Sequence, residues 1–391
     1  MEKQEKHLIA TLLVLLLIPV LVACEDSNKD SRIAFQVSPY YTVEEFDLLV
    51  DTGTLHGCCT DGENIYLLVT SDENEIECAT LYQANLADNT TTKLEKYCPI
   101  KVEENSSASF WGPFLGGDGK LWLWEGYTIP YYDLPANFDE SSDIRSKYLI
   151  SRDEFYYLRQ LDPGTGRELK LVDFSSIVTE MKGTESPLGL TVDNQGIIYI
   201  GTNKNITALD DAGKVLFTLK AEIDESADET LALLPDGTAI ALVDTIKQGR
   251  EVRTIDPNVK DWGKTTYPVS SSVWSLTGGS EGYQFFCQRS GTLYGRLEGE
   301  LLDSRLLNWE NTGLGADNSV ICFSLLDGGR IAVLTRTISE RGTSQDARLR
   351  LQMLIPSNQQ PSDGKIRLVY GTIGDDGWAR RRVNQFNESS D

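Results

Sequence analysis

From about residue 40 the chain runs as short apolar stretches separated by polar turns, and its apolar positions recur with the period of two that strands require. Long amphipathic stretches with a helical period are nearly absent before residue 365. One unit repeats: an Asp/Gly or Asn/Gly turn, an apolar strand, a gap, a second strand, and another turn leading to a third. The clearest copies open at Asp61-Gly62, Asp118-Gly119, Asp193-Asn194-Gln195-Gly196 and Asp236-Gly237, with weaker ones at Glu281-Gly282 and Asp327-Gly328. The last three intervals between openings are 43, 45 and 46 residues. Secondary turns at Asp162-Pro163-Gly164, Asp210-Asp211-Ala212-Gly213 and Asp256-Pro257-Asn258 fit the outer half of each unit.

These patterns predict an all-β fold. A repeat of roughly 40 to 50 residues resembles the four-stranded blade of a β-propeller, whose sheets bury their faces against one another around a central axis. The resemblance spans residues 40–355 and is one of pattern, without a Trp-Asp or kelch double-glycine signature. A sandwich or β-helix carries similar turns. Six openings give six blades, and the long interval from 118 to 193 holds either one blade with an insertion or two blades, so the expectation is six to eight.

Composition changes at 356–364 to Pro, Ser, Gln and Gly, which predicts a linker. Residues 365–391 then form a different unit: Lys365 to Gly371 alternates as a strand, and Ala379, Val383 and Phe386 share one helical face. A single strand and helix cannot build a core. Either they open an incomplete α/β domain, or the strand closes the propeller.

The first residues change the picture of where the protein works. Lys3, Lys6 and His7 precede an apolar run from Leu8 to Val22, too short for a stable bilayer span of about 20 residues. Leu21-Val22-Ala23-Cys24 resembles the bacterial lipobox, which implies a signal peptide over 1–23 and a lipidated Cys24 that anchors the mature chain to the outer face of the cytoplasmic membrane. Residues 24–39 read as a solvated tether, since 25–31 hold no apolar side chain.

Net charge is −23, a surface that repels phosphate backbones and argues against nucleic acid as a partner. Six cysteines remain after Cys24. Disulfides Cys78–Cys98 and Cys287–Cys322 are the candidate pairs, with buried free thiols as the alternative. No Cys-x-x-Cys spacing occurs and the only histidine beyond the signal is His56, so no metal or cofactor is expected. His56 reads as structural at the start of the first repeat. Carboxylates abound, but spacing alone does not pair them for glycosidase chemistry. Trp122 and Trp124, two apart on one strand, read as blade core. The long insertion from Gly126 to Lys147 brings Tyr127, Tyr131 and Tyr132 beside Asp133, a combination suited to carbohydrate or peptide contact or, equally, to packing on the blade beneath.

Leu368-Val369-Tyr370-Gly371 and Val383-Asn384-Gln385-Phe386-Asn387 are similar to the opening of bacterial extracellular solute-binding proteins, the lipoprotein receptors of ABC importers, often for sugars. The resemblance covers 27 residues and departs from the family in the long stretch that precedes it and in the absence of both lobes of the binding cleft. It implies an ABC permease as partner, a small-molecule or carbohydrate ligand, and ligand-facing positions at Gly374, Asp375 and Trp378. The function expected is a lipid-anchored extracellular binding module. A propeller hydrolase or lyase acting on glycans and a protein-binding scaffold or sensor are the alternatives.

Overall fold

The computed structural model of the chain describes residue 35 and residues 37–50, 53–71, 78–100, 106–134, 145–181, 187–222, 230–245, 249–289, 291–314, 318–337 and 349–358. The segment read as a signal peptide, Cys24, the expected strand–helix unit and its residues Gly374, Asp375 and Trp378 lie outside the described residues.

Strands among the described residues form six four-stranded antiparallel sheets. The first strand, β1 (Tyr40–Glu45), joins the last sheet. Blade 1 holds β2 (Thr54–Thr60), β3 (Asn64–Ser71), β4 (Cys78–Asn85) and β5 (Thr90–Lys93), and blade 2 holds β6 (Ser107–Leu115), β7 (Leu121–Tyr132), β8 (Leu149–Leu161) and β9 (Glu168–Asp173). A short helix, α1 (Ser175–Met181), leads to blade 3: β10 (Pro187–Val192), β11 (Ile198–Thr202), β12 (Asn205–Leu209) and β13 (Val215–Lys220). Blade 4 is β14 (Leu231–Leu233), β15 (Ala239–Asp244), β16 (Arg250–Asp256) and β17 (Asp261–Val269), and blade 5 is β18 (Ser275–Gly278), β19 (Tyr283–Arg289), β20 (Thr292–Leu297) and β21 (Ser304–Asn308). Blade 6 takes β22 (Asn318–Leu326), β23 (Arg330–Thr337) and β24 (Leu349–Ser357), completed by β1 from the other end of the domain.

The protein is therefore a six-bladed β-propeller. Every repeat opening read from the sequence is the turn between the first and second strands of a blade. The chemistry of those turns explains why they are visible. Asp61 Oδ1 accepts the backbone N–H groups of Glu63 and Asn64 at 2.9 and 2.7 Å, and its Oδ2 accepts the Tyr66 hydroxyl at 2.8 Å. Asp193 repeats the pattern with Gln195, Ile197 and Tyr199, while Asp118 and Asp236 accept from Lys120 and Thr238. Gly62 completes its turn at φ +95°, a conformation that side chains resist.

Strand alternation builds the core between blades. On β7, Trp122 and Trp124 face blade 3, where they meet Val192 and Ile200 together with Phe174 from the end of blade 2, whereas Leu121 and Leu123 face blade 1 beside Tyr66, Leu68 and Leu81. Equivalent layers lie between blades 3 and 4, 4 and 5, and 6 and 1, and Phe323 contacts Phe286 and Trp309 between blades 5 and 6. Glycine sets the spacing near the axis: a Cβ at Gly57 would stand 2.6 Å from the carbonyl oxygen of Gly112 on the neighbouring inner strand.

One alternative that the sequence reading left open is decided, and one boundary differs. The interval from 118 to 193 is a single blade, lengthened because β7 and β8 run to 12 and 13 residues and α1 is inserted after β9. Pro356 and Ser357, expected in the linker, are the end of β24 and pair with Tyr41 and Tyr40. β1 fills the place in blade 6 that the sequence had left open to a strand near Ile366.

Candidate functional site

The first strands of all six blades enclose a cavity of about 660 Å³. Trp111, Phe114, Leu231, Phe286 and Phe323 give it apolar and aromatic walls, and Thr60, Thr191, Asn194, Thr277 and Ser324 supply hydroxyl and amide groups near its mouth. That size and mixture fit a small organic ligand. Asp61, Asp236 and Glu281 also line it, all from turns at one end of the ring. Both oxygens of Asp61 are committed to its own turn, and Asp236 gives one oxygen to the N–H of Thr238.

At the same end lies a second groove of about 590 Å³, between the turns of blades 3, 4 and 5. Its lining is polar: Asp236, Asp256 and Glu298 with Asn194, Thr265, Gln284 and Lys264, closed on one side by Tyr267. Asp256 Oδ1 accepts the N–H of Asn258 at 2.9 Å. Among the described residues, the other oxygens of Asp236 and Asp256 and the carboxylate of Glu298 accept no hydrogen bond.

Of the sequence insertion, residues 135–144 lie outside the described residues; the flanking parts of β7 and β8 extend as a strand pair from the opposite end of blade 2, with Tyr131 paired with Ser151 and Tyr132 with Leu149. Tyr131 is 44% exposed and donates to Asp153 Oδ2 at 3.0 Å; Asp133 is exposed, and Ile150 stands bare beside them. Tyr127 is different. It is buried at the junction of blades 1 and 2, and its hydroxyl donates to Glu125 Oε2, so packing claims it and it belongs to no exposed surface.

Glu125 is the centre of a polar staple that sequence reading missed. Its fully buried carboxylate accepts from Tyr97 at 2.9 Å, Arg159 at 2.6 Å, Tyr127, and the N–H of Ile100 at 3.3 Å. Arg159 also donates to the carbonyl of Cys98, on the connection between the blades, and to Glu168. Burial, reinforced by the Glu125 charge, pushes the Tyr97 and Tyr127 hydroxyls well above their usual pKa. A similar device joins blades 4 and 5: buried Arg296 pairs with Asp303 at 2.7 Å and donates to the carbonyls of Pro268 and Leu301. The available signal was a lone charge inside an apolar run, as in Leu-Trp-Leu-Trp-Glu125-Gly-Tyr.

His56 accepts its structural reading. Its Nε2 lies 2.8 Å from Thr70 Oγ1, its ring meets Phe110 edge-on, and desolvation holds its pKa below the usual value. Neither expected disulfide is formed. Cys287 and Cys322 are both free: Cys287 is buried towards blade 4 and Cys322 packs towards blade 1, so two sheets separate thiols that sequence had placed face to face. Burial and the nearby Asp303 charge push the Cys287 thiol far up, which keeps it protonated. Cys98 is exposed and unbonded, and Cys78 opens β4 opposite Ser71, its side chain outside the described residues. Among the described residues no group of three or more His, Cys, Asp or Glu side chains is arranged to hold a metal ion.

No family model and no curated protein matches the chain. Solved structures do. The WD40 domain of Toxoplasma gondii coronin is 14% identical, with 84% of this chain and 92% of that one covered and a TM-score of 0.41. The Dos1 propeller is 13% identical, with 86% and 98% covered and a TM-score of 0.41. The soluble aldose sugar dehydrogenase of Escherichia coli, in its apo form, is 10% identical, with 81% and 100% covered and a TM-score of 0.42. At such identities the likeness carries nothing about ligand or chemistry.

Proposed function

We propose that the chain is a lipid-anchored extracellular binding module whose propeller takes a small molecule or sugar into its axial cavity, working beside the solute-binding receptor of an ABC importer. The observation that carries the binding reading is the cavity itself: aromatic walls, hydroxyl and amide groups at the mouth, and an Asp61 carboxylate saturated by its own turn. Aromatic faces stack on the C–H faces of a sugar while fixed polar groups orient it. Acid–base hydrolysis needs two converging carboxylates about 5 to 9 Å apart and free to react. Around this mouth Asp61 is saturated by its own turn and Asp236 caps another with one oxygen, and the carboxylates stand in separate turns, which favours binding over the hydrolase or lyase alternative. The importer association is supported by the lipobox and by the sequence of residues 365–391.

Titration calorimetry with a panel of mono- and disaccharides tests this reading, with tryptophan fluorescence reporting from Trp111. Saturable binding that Trp111→Ala weakens at least tenfold at a temperature where the variant is still folded supports it, the loss of its contacts with Phe114 and Trp124 lowering the melting temperature as well. Binding that survives the substitution unchanged removes the axial cavity from consideration. A protein-binding role is favoured separately by the exposed Tyr131 and Ile150 on the blade 2 extension, and co-purification of a permease only when that extension is intact would decide for it.

A further inference from the structure

The turns that join the third and fourth strands of the blades are polar or glycine-rich at most of their tips: Ala87-Asp88-Asn89, Pro163-Gly164-Thr165 and Asp211-Ala212-Gly213. Blade 5 departs from this pattern. Its turn carries Leu301 and Leu302, 82% and 75% exposed, and the corresponding turn of blade 4 carries Val259 at 63%. These leucines do not hang on a loose loop. Buried Arg296 donates to the Leu301 carbonyl at 3.2 Å and pairs with Asp303, so the turn is pinned from beneath while its side chains are presented outward. Between the two turns lies the groove of Asp236, Asp256 and Glu298, each with carboxylate oxygens that accept nothing among the described residues. A rigid pair of apolar knobs beside an acidic groove is a surface shaped for a segment that is both apolar and basic.

The chain contains such a segment. Trp378, Arg380, Arg381, Arg382, Val383 and Phe386 fall within nine residues in an otherwise acidic protein. The path to the groove is short. β24 ends at Ser357, beyond the Ile331–Leu354 pair and therefore at the same end of the ring as the first-to-second-strand turns, and blade 5 is the neighbour of blade 6. The roughly 20 residues that follow reach about 25 Å as a flexible chain and ~65 Å when extended. The geometry points to residues 378–386 as the occupant of this surface: Arg381 and Arg382 enter the groove towards Asp236, Asp256 and Glu298, and Trp378 with the arginine stems covers Leu301 and Leu302. The inference rests on the reading of residues 365–391 as a strand–helix unit, whose helical period puts Trp378, Arg381 and Arg382 on one side, next to the apolar face of Ala379, Val383 and Phe386. Docking would fix the orientation of the strand–helix unit against the propeller and so couple the two.

Trypsin cleavage after Arg380, Arg381 and Arg382 in the full chain, timed by mass spectrometry at 0.15 M salt against cleavage after Lys365 and Arg367, tests this directly. The expected result is slow cleavage after the three arginines that accelerates at least tenfold in Asp256→Asn/Glu298→Gln and in Leu301→Ser/Leu302→Ser. The asparagine keeps the turn's acceptor and the leucines are exposed, so the propeller's melting temperature should stay unchanged in both variants. Slow cleavage that ignores both variants overturns the docking and leaves the strand–helix unit standing as a fold of its own. Cleavage as fast as in a synthetic peptide of residues 376–388, already in the unmodified chain, overturns both. Acceleration in the charge variant alone, which reads as long-range attraction without a seat on the leucines, also overturns the proposal.

Discussion

The Glu125 staple offers the sharpest test of how neighbouring blades are held. Glu125→Ala removes a carboxylate that accepts from Tyr97, Tyr127, Arg159 and the N–H of Ile100, and it leaves those donors buried. Breaking a buried ion pair from one side costs about 3 to 5 kcal/mol. The lower end applies here, because Arg159 keeps Glu168 at 2.8 Å and the Cys98 carbonyl at 2.8 Å and is not wholly orphaned. For a domain of this size each kcal/mol moves the melting temperature by about 2 °C, so a loss of ~3 kcal/mol should lower it by ~6 °C. Scanning calorimetry reads the shift, and the urea midpoint by near-ultraviolet circular dichroism checks it.

Two companion variants separate the pair's net contribution from the penalty of orphaning a partner. Glu125→Gln retains an acceptor for the tyrosines and should cost less than the alanine. Glu125→Met with Arg159→Met removes both charges, and replacing a buried pair by apolar groups is often close to neutral. The double variant should therefore be more stable than Glu125→Ala. If the alanine variant stays within about 1 kcal/mol of the unmodified protein, or the double variant falls as far as the single, the staple is not what joins blades 1 and 2.

Three further outcomes are expected. The depressed pKa of His56 means the folded chain resists a proton that the unfolded chain accepts, so stability should fall as pH drops through the ordinary histidine value of about 6.5; urea midpoints between pH 7.5 and 5.5 should show a slope that His56→Gln reduces, and an unchanged slope would assign it to carboxylates. Burial together with Glu154 pushes Tyr156 up to about 12, and Tyr66 and Tyr199 lie higher still, so the folded state holds protons that unfolded tyrosines release near pH 10; stability present below about pH 10 should be lost above it, less steeply in Tyr199→Phe, as alkaline melts would show. Cys24→Ala should abolish labelled-palmitate incorporation and leave the protein unprocessed or released, and label persisting on the variant would refute the lipobox reading.

What the sequence showed of the fold is what local chemistry writes into it. The six openings were visible because Asp61, Asp193 and their counterparts cap N–H groups within four residues of themselves, and their turns need glycine. The blade count was blurred because a hairpin can lengthen without changing its pattern, as β7 and β8 do. Ring closure was invisible for a different reason: Tyr40 pairs with Ser357 across more than 300 residues, and nothing near either one marks the other. The Cys287–Cys322 pairing failed on alternation, since neighbouring sheets do not imply facing side chains. Tyr127 was read beside the exposed tyrosines because its partner Glu125 faces blade 1, and that direction follows only once the register of β7 is known.

The same turn chemistry explains why an acidic composition said so little about the site. A propeller that caps its turns with aspartate accumulates carboxylates at one end of the ring whatever it binds, and most of them are occupied. Net charge and residue counts cannot distinguish a carboxylate that closes a turn from one that is free to meet a ligand, because the difference lies in which oxygen accepts which N–H. In Asp61 and Asp193 both oxygens are taken, and substitution there should damage the blade. In Asp236 and Asp256, which line the groove, one oxygen holds the turn and the other accepts nothing among the described residues, so asparagine preserves the fold while removing the charge. A carboxylate available to a ligand at this end of the molecule is therefore the half of an aspartate that the fold does not use.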